Sequence, residues 1–223
     1  KSAVCQGCTN RCRLTVNSFG DGKRFISGNQ CEKGLGKATA GEQLPNLYEF
    51  KRNYLTSLKS ENGARGTVGM PLALGMYELL PLWHAVFTRL GFNVKVSPMS
   101  TRRIYEKGQF SIPSDTACYP AKIMHGHIET LITDGVDAIF YPCLTYNMDE
   151  KMTDNHYNCP VVAYYSELLN GNVEELKRVK FLYPYLNINS KKELAKELYT
   201  YLGKFYNGIT KSEVKAAVEY GLT

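Results

Sequence analysis

The chain has 223 residues, of which 43% are hydrophobic and 22% charged, ordinary proportions for one globular domain with an appendage. No run approaches the ~20 consecutive apolar residues of a membrane span, which argues against a membrane partner. Lys and Arg number 27 against 21 acids, a net charge of +6. They fall in short scattered pairs such as Arg102-Arg103 and Lys191-Lys192, which suits solvation and not a nucleic-acid stripe.

The seven cysteines are an odd number, and four of them crowd into the first 31 residues. With no charged-then-apolar leader, this usage suits reduced thiols in the cytoplasm, some of them binding metal. Because the chain opens on Lys1, it is expected to be a segment of a longer protein.

Residues 1–34 read as a unit. Cys5-Gln-Gly-Cys8 forms a knuckle, followed by Cys12 and Cys31. Between them Arg13–Phe19 and Arg24–Ser27 flank Gly20-Asp-Gly-Lys23, the pattern of a hairpin that returns Cys31 toward the knuckle. So short a segment buries little core, so a metal staple is physically motivated. Four thiolates close a tetrahedral zinc site, and four can equally hold an iron–sulfur cluster. Zinc leads because the hairpin is ribbon-like.

Residues 35–63 read as a connector, broken by Gly34, Gly36, Gly41 and Pro45 and ended by the polar Lys59–Gly63. From 64 to 223 strands and helices alternate. Thr67–Met70 is a short strand, and Leu79, Leu82, Trp83, Val86, Phe87 and Leu90 have helical spacing, with Pro81 near the first turn. Phe92–Val96, Val136–Tyr141 and Pro160–Tyr164 read as strands. Thr101–Lys107, Pro120–Thr133, Lys191–Phe205 (capped by Ser190) and Lys211–Tyr220 read as helices. The alternation implies βαβ units. The expected fold class is α/β, a Rossmann-like or flavodoxin-like layered sandwich with a mostly parallel sheet behind a small four-cysteine hairpin.

Two further cysteines are placed where ligands gather. Cys118 starts the Pro120 helix, whose N-terminal partial charge favours thiolate, and Cys143 follows the strand ending at Tyr141. Buried small residues are the alternative reading of both. Cys159, just before the expected strand 160–164, is placed at the opposite, amino edge, ~15 Å from the edge of Cys143, and so ranks below the other two as a partner. Lys122 faces either the same pocket or solvent. His127 suits a satisfied core histidine, and a Cys118 nucleophile with His125 or His127 as base is a third possibility. Neither a GxxxxGK[ST] loop nor GxGxxG after a strand occurs, so no ATP motif is visible.

Several motifs occur together and in order. They are Val68–Tyr77, Leu82-Trp-His84, Tyr105-Glu-Lys-Gly108, Ile112–Lys122 with its Ser-Asp-Thr-Ala-Cys-Tyr-Pro core, His125-Gly-His127, Ile139-Phe-Tyr-Pro-Cys143 and Asp154–Pro160. This set resembles the domain of unnamed function that follows the ATPase modules in long proteins related to the activator (activase) of 2-hydroxyacyl-CoA dehydratases. The Cys5–Cys31 ribbon resembles the segment before it.

The domain in turn is similar to the dehydratase subunits, whose α/β domains hold a [4Fe-4S] cluster through three cysteines. The resemblance implies that Cys118 and Cys143 match the first two ligand positions. The third is expected in a later domain, so that the cluster is shared with residues beyond this chain. It also implies an iron–sulfur electron-transfer module coupled to an ATP-driven activase. Its partners would be ATPase modules of the same or an associated chain and an acyl-CoA dehydratase-like protein, and the isolated segment is expected to be inactive. The alternative is a non-catalytic, zinc-stapled docking module.

Overall fold

The computed structural model describes residues 1–36, 45–60 and 63–223. Part of the expected connector, including Gly41 and the Glu61-Asn62 pair, therefore lies outside the described residues. The chain divides into two units, Lys1–Arg52 and Asn53–Thr223.

The first unit carries an antiparallel sheet of β1 (Ser2–Val4), β2 (Arg13–Ser18) and β3 (Arg24–Ser27) in that order. The β2–β3 pair is the expected hairpin, registered Thr15 with Ser27 and Ser18 with Arg24. Its turn closes through Phe19 N–H donating to the Lys23 carbonyl at 3.0 Å. Strand β1, not foreseen, pairs Val4 with Arg13. Gly28 has a φ of +85°, and a Cβ there would lie 2.3 Å from the Arg13 carbonyl oxygen, so only glycine lets the chain leave β3 this way. Among the described residues of this unit only Cys5, Leu14 and Gly34 are buried. A core of that size does not offset the entropy of ordering the chain. Helix α1 (Leu47–Ser57) runs across the division between the units.

The second unit is α/β. Its strands β4 (Thr67–Met70), β5 (Asn93–Val96), β6 (Ala138–Phe140) and β7 (Lys180–Leu182) form a parallel sheet in the order β5-β4-β6-β7. Connecting or following them are α2 (Gly75–Arg89), α3 (Arg102–Gly108), α4 (Tyr119–Thr133), α5 (Pro160–Asn172), α6 (Lys191–Leu202) and α7 (Lys211–Gly221). One sheet face is sealed by α2, whose Trp83 and Phe87 rings meet Phe140 of β6 at 5.0 and 4.6 Å. Pro81 sits inside α2, not in its first turn, because the helix begins earlier, with Met76 and Tyr77 N–H bonded to the Ala73 and Leu74 carbonyls.

Helices α3 and α4 cross at glycines. A Cβ on Gly126 would lie 1.7 Å from the Ile104 carbonyl oxygen, and one on Gly108 would lie 2.1 Å from the Gly126 nitrogen. Backbone meets backbone there, which fixes the two histidines flanking Gly126.

Pro160–Tyr164 is not a strand but the first turn of α5. The β-branched Val161-Val162 pair suggested extension. The buried positions Ala163, Ser166 and Leu169 instead recur every three residues, and Pro160 at the helix start lacks only an N–H the helix does not use. The strand that pairs with β6 on the side away from β4 is β7, three residues long and preceded by a 3₁₀ turn over Glu174–Arg178.

Candidate functional site

In the second unit the crossover from β4 goes out to β5 and the chain then returns past β4 to β6, so strand order reverses between β4 and β6. Ligands in open parallel sheets bind outside the carboxyl ends of strands at such a reversal. Helices α2, α4 and α5 all begin at that edge, since each runs back to start the next strand. All three cysteines of the unit lie there: Cys118 at the N-cap of α4, Cys159 at the N-cap of α5, and Cys143 just beyond β6.

The placement of Cys159 corrects the expectation of the amino edge, which followed from reading 160–164 as a strand. As a helix start, Cys159 is pinned beside the residues after Cys143. Leu144 N–H donates to the Ala163 carbonyl at 3.1 Å, and the Asn158 amide donates to the Leu144 carbonyl at 2.9 Å.

Cys143 is buried, and its extended backbone prolongs the β6–β7 ladder, with Cys143 N–H on the Pro184 carbonyl at 2.9 Å. Its Sγ lies 3.0 Å from the Ser166 hydroxyl. Burial pushes the thiol pKa up, opposed by the Ser166 hydrogen bond, and the nearby Glu167 raises it further. Left to itself, Cys143 is therefore a protonated thiol at neutral pH. Cys118 is exposed, and the Lys122 ammonium donates to the Asp115 carbonyl at 2.7 Å.

The neighbouring residue of α5, Tyr165, is bonded to α4. Its hydroxyl lies 3.0 Å from Nε2 of His125, and Nδ1 of His125 lies 2.9 Å from the Ser111 hydroxyl. Ser111 gives its proton to the Gly108 carbonyl, so His125 donates through Nδ1 and accepts the Tyr165 proton at Nε2. The pKa of Tyr165 is raised first by burial and then by Cys118, which is near enough to act on it. Thus consecutive residues of α5 are bonded on either side, Ser166 to Cys143 and Tyr165 to His125 of α4. Sequence reasoning missed both because it read the start of α5 as a strand.

The hydroxyl of Tyr141, 2% exposed, has no hydrogen-bond partner among the described residues. Burial pushes its pKa above the ordinary tyrosine range, and Cys143 and Tyr165 add to that.

His127 bonds at both nitrogens, to Ser97 at 2.7 Å and Ser100 at 2.9 Å. Burial lowers both His125 and His127 to about 4, so both are neutral at pH 7. With every ring nitrogen engaged, neither is placed as a base for Cys118.

In the first unit the Cys5 sulfur accepts from Gly7 N–H at 3.4 Å and the Cys12 sulfur from the Asn10 amide at 3.1 Å. A Cβ on Gly7 would sit 3.1 Å from Lys33 Cβ and 3.4 Å from Cys5 Sγ, so the hairpin does return the segment after Cys31 to the first knuckle. Among the described residues no three His, Cys, Asp or Glu side chains converge to hold a metal ion. In the second unit two thiols, Cys118 and Cys143, lie at one edge of the sheet, and the buried Tyr141 hydroxyl has no partner among the described residues.

The family model of the CoA enzyme activase uncharacterised domain (DUF2229) matches residues 67–223. The chain belongs to this family. The activase domain thus begins on the first residue of β4 and takes in the whole parallel sheet with Cys118, Cys143 and Cys159, leaving Cys5, Cys8, Cys12 and Cys31 outside. No curated protein and no solved structure matches the chain. No described helix is long and apolar enough to cross a membrane.

Proposed function

We propose that the activase domain is an iron–sulfur electron-transfer module coupled to an ATP-driven activase, with Cys118 and Cys143 as two thiolates of a [4Fe-4S] cluster completed by residues beyond this chain. The observation that carries this reading is the placement of both thiols at the carboxyl edge, Cys118 at the N-cap of α4 and Cys143 just beyond β6 against Ser166. When bound, the cluster would supply a one-electron carrier. The chain's own residues do the rest. Cys118 stands exposed at the N-cap of α4, Cys143 sits away from water, and Ser166 donates to its sulfur once the proton has left. ATPase modules and a dehydratase-like acyl-CoA protein are the partners this reading assigns.

Cys5, Cys8, Cys12 and Cys31 would hold zinc, or an iron–sulfur cluster, as the staple of a unit with almost no core. Anaerobic reconstitution and metal quantification of the longer protein test both sites. The reading expects iron that disappears in Cys118→Ala and Cys143→Ala, and iron content unchanged by those substitutions refutes it.

A zinc-stapled docking module is the second reading. It is favoured by the apolar side chains exposed on the segment that follows Cys143, among them Met152 at 83% and Tyr157 at 64%. One zinc, no iron and retained binding to the ATPase modules is the result that selects it.

A further inference from the structure

The second unit also carries a cavity of about 530 Å³, within the ~300–1,000 Å³ usual for small-molecule sites. One wall is a single face of α2, given by Pro81, His84, Ala85, Thr88 and Arg89 at helical spacing. The end of α1 and the residues after it bring Tyr54, Leu58 and Lys59, and α7 brings Tyr220. Ser60 anchors that segment, its hydroxyl accepting from Val94 N–H of β5 at 2.7 Å. Because α2 leads from the cysteine edge back to the start of β5, the cavity lies toward the other end of the unit.

Its charge is one-sided. Lys59 and Arg89 have no acidic partner among the described residues, and no carboxylate lines the cavity. The Arg89 guanidinium lies 5.6 Å from the centre of the Tyr220 ring.

Two polar groups of the same wall are orphaned. His84 is 6% exposed, and its Nε2 is buried without a partner, as is the Thr88 hydroxyl. Thr88 has a local alternative that it does not take. The other threonines within the described helices each donate to a carbonyl of their own helix, Thr56 to Asn53, Thr130 to Gly126, Thr133 to Glu129 and Thr200 to Lys196. Leaving two buried polar groups unpaired is unfavourable, and native proteins rarely do so. The side chains that carry them wall the cavity, so an occupant can supply their partner together with the counter-charge for Lys59 and Arg89.

We propose that this cavity binds one small organic anion. Its carboxylate or phosphate meets Arg89 and Lys59, its apolar body lies on Leu58 and the Tyr54 and Tyr220 rings, and a polar substituent of that body pairs with His84 and Thr88. The site needs no metal and does not depend on the electron-transfer reading.

Isothermal titration calorimetry on the whole chain tests this with two probes, adenosine monophosphate with a phosphate head and 4-hydroxybenzoate with a carboxylate head. Adenosine and inorganic phosphate are titrated separately. At least one probe is expected to bind one per chain, and which of the two binds identifies the head. Affinity is expected to fall about tenfold in Arg89→Gln and in Lys59→Gln. It is expected to keep the wild-type value in Lys192→Gln, a cation of α6 outside the cavity. Thr88→Val is expected to weaken binding and, by removing an unpaired hydroxyl, to raise the ligand-free melting temperature by about 2–4 °C. Binding of neither probe, or adenosine or inorganic phosphate binding as tightly as adenosine monophosphate, overturns the inference. So does affinity unchanged in Arg89→Gln and Lys59→Gln, an equal loss in Lys192→Gln, or a ligand-free melting temperature that falls in Thr88→Val.

Discussion

Acidification is a direct test of the buried hydrogen-bond networks around α4. Burial holds His125 and His127 at about 4 against an ordinary 6.5, and each is fully bonded while neutral. The unfolded chain takes up these protons near pH 6.5 and the folded chain only near pH 4. Stability from the neutral forms is therefore complete above pH 6.5 and is lost as the pH falls toward 4. The full effect is about 3 kcal/mol per histidine, of which about 2 kcal/mol is gone by pH 5. Two such losses, about 4 kcal/mol, are a large part of the 5–15 kcal/mol typical of a domain.

Urea denaturation at pH 7, 6 and 5 reads this directly, above the range where most carboxylates titrate. His127→Gln isolates one contribution, since an amide both accepts from Ser97 and donates to Ser100. The variant is expected to lose about 2 kcal/mol less than wild type between pH 7 and 5. A midpoint that does not move between pH 7 and 5, or a variant with the wild-type slope, refutes the reasoning.

Other outcomes follow from local geometry. Gly126→Ala places a methyl group against the Ile104 carbonyl and should destabilise by about 3 kcal/mol or more in a thermal melt. In Thr210→Ala the capping box with Glu213 at the start of α7 is lost, and chemical denaturation should show a loss of about 1 kcal/mol. With an alkylating probe on the metal-free protein, Cys118 and Cys159 should label in the native state. Cys143, buried and with its thiol pKa raised, should label only on unfolding.

Much of this fold is written in local pattern. The alternation of Phe92–Val96 and the helical spacing of Leu79 through Leu90 each follow from one buried face, and Thr101 and Ser190 mark helix starts through their own hydroxyls. The α5 segment was illegible because Val161-Val162 carries strand propensity, while its helix is decided by packing of Ala163, Ser166 and Leu169 against distant parts of the chain. Strand β7 is too short to alternate visibly, and its register with β6 is a long-range fact.

The same limits apply to the site. Cys118 and Cys143 were legible as ends of a helix and a strand. Tyr165 and Ser166 were not, because their roles exist only once α5 is folded against α4 and the edge beyond β6. That error also carried Cys159 to the wrong edge.

The account's central claim is that Cys118 and Cys143 serve one iron–sulfur site. Iron and sulfide quantification on the anaerobically prepared longer protein, in wild type and in the Cys118→Ala and Cys143→Ala variants, tests it most directly. The account predicts stoichiometric iron and sulfide in wild type, lost in both variants while the four N-terminal cysteines keep their metal. Iron absent from wild type, or equally present in all three proteins, contradicts it.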